Sequence, residues 1–484
     1  MTRTGAFVSG LVQLRRLLLI SVAAGSLVIA ATPVLAMSLR DAVELAVDSN
    51  PEIGAAIENR AATGFELQQA LGLYAPRVDL EASTGAERLS TPARRAAGID
   101  GNTLLPTEVG VSVSYDLLDG GFRDSETDRQ AARLDGAALR VLERSEFIAL
   151  QIAQQYFEVM LQVRIRDIAV QNVAFHETTL KNVMDLQGKT ATEADVQQAQ
   201  ERLAAAKARV EEAQEALNAA KSSYQSLVGI PFQKGSMPSR PGKSLPSTLD
   251  KAIALARTEN PRLRIASADI DAASAVVDQS KAGLNPKLSL QANASAGNDI
   301  GGTEGITTDI SGKLVFKMNL FDGGIQQAQV QENVHRETQA MMEQQQTLRE
   351  VEDAVRVSWD RIRSQGSLSS QYSAQLSASN QLVSSYSDQF TVGSRSLLDV
   401  LDAQNSKFSV QILAETASFG VRFSEYRLLA ATGHLLSYLG ISAPEDATAD
   451  ARQKVGAPAA DDAEPRLRTP LNLDGPIDLT HYVK

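Results

Sequence analysis

The sequence predicts an α+β membrane protein built from a duplicated unit, each copy a β-hairpin followed by a long helical hairpin. Three observations carry that expectation. The chain repeats itself at an offset of about 200 residues. Four stretches of about ten residues alternate apolar with polar side chains. Residues 122–187 and 325–391 contain no proline and one glycine each, Gly136 and Gly366.

Composition sets the bounds. Of 484 residues, 47 are Lys or Arg and 58 Asp or Glu, a net charge of −11, with four histidines, one tryptophan and no cysteine. The missing thiol excludes disulfide frameworks, zinc ribbons, iron–sulfur ligation, thiol nucleophiles and a lipidated N-terminal cysteine. An acidic chain with 5% aromatics lacks the basic face and stacking rings of a nucleic-acid binder. Ala, Gln and Ser are abundant and large core-forming side chains sparse, which suits long thin helices better than a thick core.

Near the start, Arg3, Arg15 and Arg16 precede the apolar run LLLISVAAGSLVIAA, and the small residues of VLA end at Ala36. This pattern predicts a secretory signal peptide over residues 1–36, because the run is short for a spanning helix and ends near Pro33. Cleavage would leave a charge near −14. No later segment offers 18 consecutive apolar residues, so any membrane crossing falls to β-strands.

The first copy is assigned to residues 37–234 and the second to 248–440, joined by a Pro-, Gly- and Ser-rich linker over 235–247. Segments starting at Ser38 and Thr248 align without a gap at an offset of 210, matching Asn50-Pro51 with Asn260-Pro261 and Pro76 with Pro286. Each Asn-Pro supplies an N-cap and a proline at the first helical position. The helix that follows must stop before the second proline. Then comes alternation. Val78, Leu80, Ala82 and Thr84 oppose Arg77, Asp79, Glu81 and Ser83; Leu288, Leu290, Ala292 and Ala294 oppose Lys287, Ser289, Gln291 and Asn293. The returning strands carry Val109, Val111, Val113, Tyr115 and Leu117 in one copy, and Ile310, Leu314, Phe316, Met318 and Leu320 in the other. Each copy therefore contains a hairpin, with a seven-residue insertion in the first. A soluble half-buried hairpin and a transmembrane one share this pattern; in the second, one face meets lipid and the other water. Four strands cannot close a barrel, and an open edge cannot sit in lipid. The membrane reading thus requires oligomers, and three chains would supply 12 strands.

Strand gives way to helix at two Asp-Gly-Gly turns, Asp119, Gly120, Gly121 and Asp322, Gly323, Gly324. The uninterrupted stretches behind them would each reach about 100 Å. Second helices are expected over 192–228 and 396–432, ended by glycine. The tail over 441–484, rich in Ala, Asp and Pro, is expected to be mobile.

Patterns that would carry catalysis are incomplete. HETTL at His176 lacks the second histidine of the zinc-protease spacing, and SGKL at Ser311 lacks the first glycine of a phosphate loop. His335-x-Glu337 lacks the cysteines of a deaminase zinc site. His176, His335, His434 and His481 lie far apart, and Trp359 sits in a long helix. The expectation is no enzyme, no cofactor and no metal.

The hairpin tips, QGKTATEADVQQAQ from Gln187 and TVGSRSLLDVLDAQ from Thr391, hold the more informative residues. Asp399 and Asp402 share one helical face at i, i+3. In a trimer their carboxylates would ring the axis, narrow a pore and attract cations. Arg395, one turn earlier, is placed to tether Asp195 of the neighbouring hairpin. Thr192-x-x-Asp195 and Ser396-x-x-Asp399 also read as capping boxes, so both roles stay open for Asp195 and Asp399. Asp402 has no cap to serve.

The duplicated Asn-Pro helix, strand, loop, strand, Asp-Gly-Gly turn and long helix, with the VGSRSLLDVLDAQ turn and the ATG ending, resemble the TolC family of outer-membrane efflux proteins across residues 38–440. The resemblance implies a homotrimer with a 12-stranded β-barrel in outer-membrane lipid and a 12-helix α-barrel tunnel in the periplasm. It implies docking on a periplasmic membrane fusion (adaptor) protein and an inner-membrane ABC or proton-driven transporter, with no energy source in the duct itself. It further implies a periplasmic gate at Asp399, Asp402, Arg395 and Asp195, and adaptor docking at the tips Gly188, Lys189, Thr190, Gly393, Ser394 and Ser396. Phe390 stands where the family commonly has tyrosine, and Ala194 where it has a polar residue; both departures imply a leakier mouth. LRVLERSEFIALQIAQQYFEVML from Leu139 and the Arg-bearing first loop are similar to the branch serving type I protein secretion. Multidrug or small-molecule efflux is the alternative. From another class, a periplasmic adaptor or coiled-coil scaffold would also have a long helical hairpin. An adaptor would show one hairpin between compact β modules, where this chain has two hairpins and paired amphipathic strands.

Overall fold

The computed structural model describes residues 37–188 and 190–457. The signal segment, Lys189, His481 and the end of the tail lie outside the described residues. One order of elements occurs twice. First come α1 (Leu39–Ser49), α2 (Pro51–Gly72), β1 (Arg77–Thr84), a loop with short α3 (Pro92–Ala96), β2 (Thr107–Leu118), α4 (Phe122–Leu186) and α5 (Glu193–Val228). Then follow α6 (Leu249–Glu259), α7 (Pro261–Ala282), β3 (Lys287–Asn298), β4 (Ile306–Lys317), α8 (Ile325–Thr391) and α9 (Leu397–Ala431), with α10 (Leu435–Leu439) and α11 (Ala451–Val455) closing the chain.

The Asn-Pro pairs explain their residue choice. Each asparagine uses both ends of its carboxamide. Asn50 Oδ1 accepts from the Glu52 N–H at 2.9 Å while its Nδ2 reaches the Leu227 carbonyl at 3.5 Å; Asn260 does the same with Arg262 and Ala431, both at 2.9 Å. A cap made by ionised Asp has no donor and one made by Ser has a single oxygen for both tasks, whereas the two separate atoms of the asparagine carboxamide cap one helix and hold the last turn of another. The Asp-Gly-Gly turns work similarly. Asp119 accepts from the Gly121 and Arg123 N–H groups at 3.1 and 2.9 Å, and Asp322 accepts from Gly324 and Gln326, both at 3.0 Å. Gly120 has φ +74°, and a Cβ there would stand 2.6 Å from the Ala282 carbonyl oxygen. The turn of the first copy therefore packs directly on the end of α7 in the second.

The four strands form one antiparallel sheet in the order β1-β2-β3-β4. The two hairpins are joined by β2 and β3, with Val113 opposite Ala292 and an irregularity between Asp116 and Leu118. Alternation sorts the faces: Leu80, Val111, Ala294 and Ile310 form one row, and Glu81, Gly110, Ser295 and Asp309 form the next row on the opposite face. Leu80 and Ile310 are 74% and 87% exposed in the single chain. β1 and β4 are edges, with no further strand paired to them among the described residues. Met318 and Leu320, expected in the last strand, lie beyond it. The ladder stops at Lys317, and the Asn319 side chain accepts from the Phe321 N–H at 3.2 Å as the chain turns toward Asp322. The long first loop is itself ordered by the buried Arg94, which donates to the Ile99 carbonyl at 2.9 Å and to the Gly302 carbonyl of the β3–β4 loop.

Most of the core lies at a waist below the sheet. α1, α4, α5, α9 and α10 contribute Val43, Ile148, Ile152, Leu217, Tyr426 and Leu435 to one cluster, with Tyr156, Tyr224 and Phe232 stacked edge to face at 5.1–6.4 Å. The linker over 235–247 is bound to this core. The Tyr156 hydroxyl donates to the Ser236 carbonyl at 2.7 Å, the Tyr426 hydroxyl to the Ser239 carbonyl at 2.8 Å, and Arg240 pairs with Glu425. No described helix is long and apolar enough to cross a membrane.

The tail departs from its expected mobility over residues 441–457. Ile441 is buried, and α11 docks between the copies. Asp135 on α4 accepts from the backbone N–H groups of Ala451 and Arg452 at 2.7 and 3.2 Å and from Arg452 Nε at 2.7 Å, while Arg452 also pairs with Asp271 on α7. All three side chains are below 10% exposed. The polar composition misled because the anchor is one arginine whose partners lie 317 and 181 residues away.

Two predictions follow from the waist. Arg452→Ala leaves two buried carboxylates without their guanidinium and should destabilise the detergent-purified protein by about 3–5 kcal/mol in a denaturation series. Arg60→Ala, which breaks a half-exposed pair with Asp446, should cost less than about 1 kcal/mol; equal effects would show that the buried triad is not what holds the C-terminal strap, residues 441–457. Glu146, buried on α4, accepts from the Leu435 and Leu436 N–H groups at 3.2 Å. Burial pushes its carboxyl up to about 7, against the smaller opposing effect of those two N–H groups. The folded state therefore holds the proton more tightly than the unfolded one. Its stabilisation is full below about pH 4.5 and lost as pH rises through about 7. Glu146→Gln should flatten the fall in denaturation midpoint between about pH 5 and pH 8; an unchanged slope would refute the assignment.

Candidate functional site

The tips lie at the far ends of α4/α5 and α8/α9 and are held against each other. Val183, Ala191, Val196, Ala199, Leu397 and Leu401 form a small buried cluster, flanked by Leu180, Leu186 and Phe390. Phe390, noted for the hydroxyl it lacks, thus has a packing role. Gly188 and Gly393 have φ +78° and +77°, and a Cβ on Gly393 would touch Thr190 Cγ2 at 3.8 Å. Ser394 Oγ donates to the Gln389 carbonyl at 3.0 Å, closing the second turn. Ser396 is the N-cap of α9, accepting from the Asp399 N–H at 3.3 Å.

The four gate candidates divide. Asp195 completes a capping box: its carboxylate accepts from the Thr192 N–H at 2.8 Å, and Thr192 Oγ1 accepts from the Asp195 N–H at 3.2 Å. Asp399 accepts from the Ser396 hydroxyl at 2.8 Å and lies 3.7 Å from Arg395. Arg395 is held by its own hairpin, with its guanidinium 4.2 Å from the Tyr386 ring centroid and Nε donating to Gln389 Oε1 at 3.2 Å. Arg395 and Asp195 are not joined within the chain. Asp402 has an unforeseen partner, Arg202 on α5, at 3.7 Å. That pair links the two hairpins directly.

Behind the tip the hairpins share a buried amide pair, Gln404 Nε2 donating to Asn172 Oδ1 at 2.8 Å. His176, one turn along α4 from Asn172, is buried; burial first, and the nearby Arg202 charge second, hold its imidazole below the ordinary value. It is therefore neutral at pH 7 and adds no charge beside the Arg202–Asp402 pair. Arg202, Tyr386, Asn172 and Gln404 escaped the sequence reading because Arg, Tyr, Asn and Gln on a long exposed helix carry no local motif. Arg202 lies ten residues past the N-cap Thr192 and Asp402 six past the N-cap Ser396, so no equivalent position in the repeat pairs them. The strand–helix turns at Asp119 and Asp322 lie at the sheet end of the same helices and set their exit direction.

Comparison with known proteins agrees with this geometry. Residues 252–434 match the protein family described as outer membrane efflux protein. Outer membrane efflux protein BepC of Brucella suis is 25% identical over 387 residues, covering 78% of this chain and 82% of that protein. Alkaline protease secretion protein AprF of Pseudomonas aeruginosa is 24% identical over 315 residues, covering 62% and 63% respectively. The fold is that of the outer membrane protein VceC of Vibrio cholerae, with a TM-score of 0.70 at 17% identity over 84% of this chain and 97% of that one. The second copy of the repeat thus matches the outer membrane efflux protein family, and most of the chain is similar to proteins that carry that description.

Proposed function

We propose that three copies of this chain form a passive export duct, a 12-stranded barrel in the outer membrane continuing as a 12-helix tunnel into the periplasm. The observation that carries this reading is the sheet. Its apolar face is exposed, and β1 and β4 leave their outer N–H and C=O groups unpaired by strand. Pairing β4 of one chain with β1 of the next satisfies both edges and turns the apolar faces to lipid, which no single chain achieves.

In this duct the tips carry the gate. Asp399 and Asp402 face the axis as an acidic ring, Arg395 reaches Asp195 of a neighbouring chain, and Arg202 holds Asp402 between such contacts. Gly188, Lys189, Thr190, Gly393, Ser394 and Ser396 present the docking surface for a periplasmic adaptor, which joins an inner-membrane transporter that supplies the energy. Residues 1–36 act as the export signal, and the two copies are separated at 235–247. The cargo assigned is protein, by a type I route; the likeness to AprF, a protein named for alkaline protease secretion, supports it. Small-molecule efflux is favoured instead by the likeness to BepC, an efflux protein.

Planar-bilayer recording tests the duct and its gate. The unsubstituted protein should give a small cation-selective conductance, which rises several-fold in Asp399→Ala/Asp402→Ala and in Arg395→Ala. Arg202→Ala should raise it less, because it removes only one counter-charge. No channel would defeat the duct; unchanged conductance in all variants would defeat the gate alone. Loss of a secreted protein from the culture medium of a deletion strain, with drug susceptibility unchanged, would favour protein cargo; the reverse would favour efflux.

A further inference from the structure

The polar face of the sheet sorts its charges along the strands. The register orders them from the helical end outward. Lys287 lies directly opposite Lys317. Next come Asp116, Ser289 and Val315, then Arg77, Ser114, Gln291 and Lys313. Asp79, Ser112, Asn293 and Ser311 form the middle row. Beyond it stand Glu81 and Asp309 in one row and Glu108 in the next, with no basic residue beside them. The helical half of this face thus carries four cations against Asp116 and Asp79, and the outer half carries carboxylates only.

The cationic half is poorly compensated from within. Like charges directly opposite on paired strands oppose the pairing, and Lys287 and Lys317 are such a pair. The described residues provide no ion pair for Lys287, Lys313 or Lys317. Asp79 is already engaged by Arg77 at 2.8 Å. Lys287 has instead the ring of Phe122, 5.6 Å from its ammonium to the centroid. All three lysines are exposed. A soluble hairpin has no reason to align uncompensated lysines in register, whereas a surface that takes a negative visitor does.

We propose that the polar face of the sheet is a charge-sorted filter, with Lys287, Lys317, Lys313 and Arg77 as a binding zone for polyanionic segments of cargo and Glu81, Asp309 and Glu108 as an outer zone whose repulsion weakens their hold. The inference rests on the reading that this face lines the lumen. Closing three sheets into one cylinder repeats each row threefold around a water-filled channel with low-dielectric walls, where rings of one sign dominate selectivity. A chain carrying phosphates or clustered carboxylates is then drawn into the barrel from the helical side. The acidic rows above prevent it from settling there, so the zone captures without trapping. Binding must be strong enough to admit and weak enough to release, and this order of signs achieves both.

Sodium tripolyphosphate tests the proposal in planar bilayers, on channels carrying Asp399→Ala/Asp402→Ala so that the acidic tips do not exclude the probe. Added on the helical side, it should block the current, more deeply when the voltage drives anions into the barrel. Lys287→Gln/Lys313→Gln/Lys317→Gln should raise the half-blocking concentration about tenfold and shift the reversal potential in a KCl gradient toward cation selectivity. Lys313→Glu, a single exposed change, should give a smaller shift in the same direction and serves if the triple variant fails to assemble. Glu81→Gln/Asp309→Asn should lengthen each blocking event. A conducting channel whose block and reversal potential ignore the lysine substitutions would overturn the filter and leave the duct standing. Absence of any channel before substitution would overturn both.

Discussion

Backbone hydrogen bonding at the sheet edges is the constraint on which the architecture depends. A four-stranded sheet with one apolar face has no stable home alone: in water it exposes rows such as Leu80, Val111, Ala294 and Ile310, and in lipid it exposes unpaired amides at β1 and β4. The other end of the chain is carried far from this sheet by long helices. The Asp-Gly-Gly turns convert strand into helix with a side-chain carboxylate bonded to the first helical amides. The helices behind them, 65 and 67 residues long, run far from the sheet. Helices of that length with few large apolar residues gain little from their own propensity alone and need neighbours along their whole length.

The waist supplies what the sheet and the tips lack. It holds the buried aromatic side chains, Tyr156, Phe157, Tyr224, Phe232, Phe419 and Tyr426 among the described residues, and joins the two copies by contacts that are specific rather than merely apolar. Within each copy, Asn50 and Asn260 cap one helix while holding another. Arg452 binds one aspartate from each copy. Glu146 receives the N–H groups that open α10. These are buried polar contacts in which each group is answered by a partner, and in such sites the cost of a missing partner exceeds the gain from a present one. They fix the relative placement of the helices at the waist.

Legibility differed between fold and site for a physical reason. The repeat, the helix ends and the strand alternation are local properties: proline, glycine and period-two patterning act within a few residues. The long helices were readable from the absence of breakers, and Asp119 and Asp322 from their glycine neighbours. The tip acids Asp195, Asp399 and Asp402 were readable as a pattern, but the partner of Asp402 was not. Arg202 meets Asp402 across two hairpins, and Arg395 stacks on Tyr386 beside it rather than reaching another hairpin of its own chain. Residues 441–457 were expected to be mobile from their polarity, whereas Arg452 fits a buried pair of carboxylates.

The sequence by itself determined the duplicated order of elements, where each helix begins and ends, which face of each strand is apolar, and the family it resembles. Those are consequences of short-range sterics, capping and periodicity, which the chain carries wherever it goes. Only the tertiary structure decided which distant charges meet, how the linker and strap bind the waist, and how four strands align so that lysines share one end of a face and carboxylates the other. Register and side-chain pairing across copies depend on the packed whole, since sliding one strand by a single residue would reverse every face.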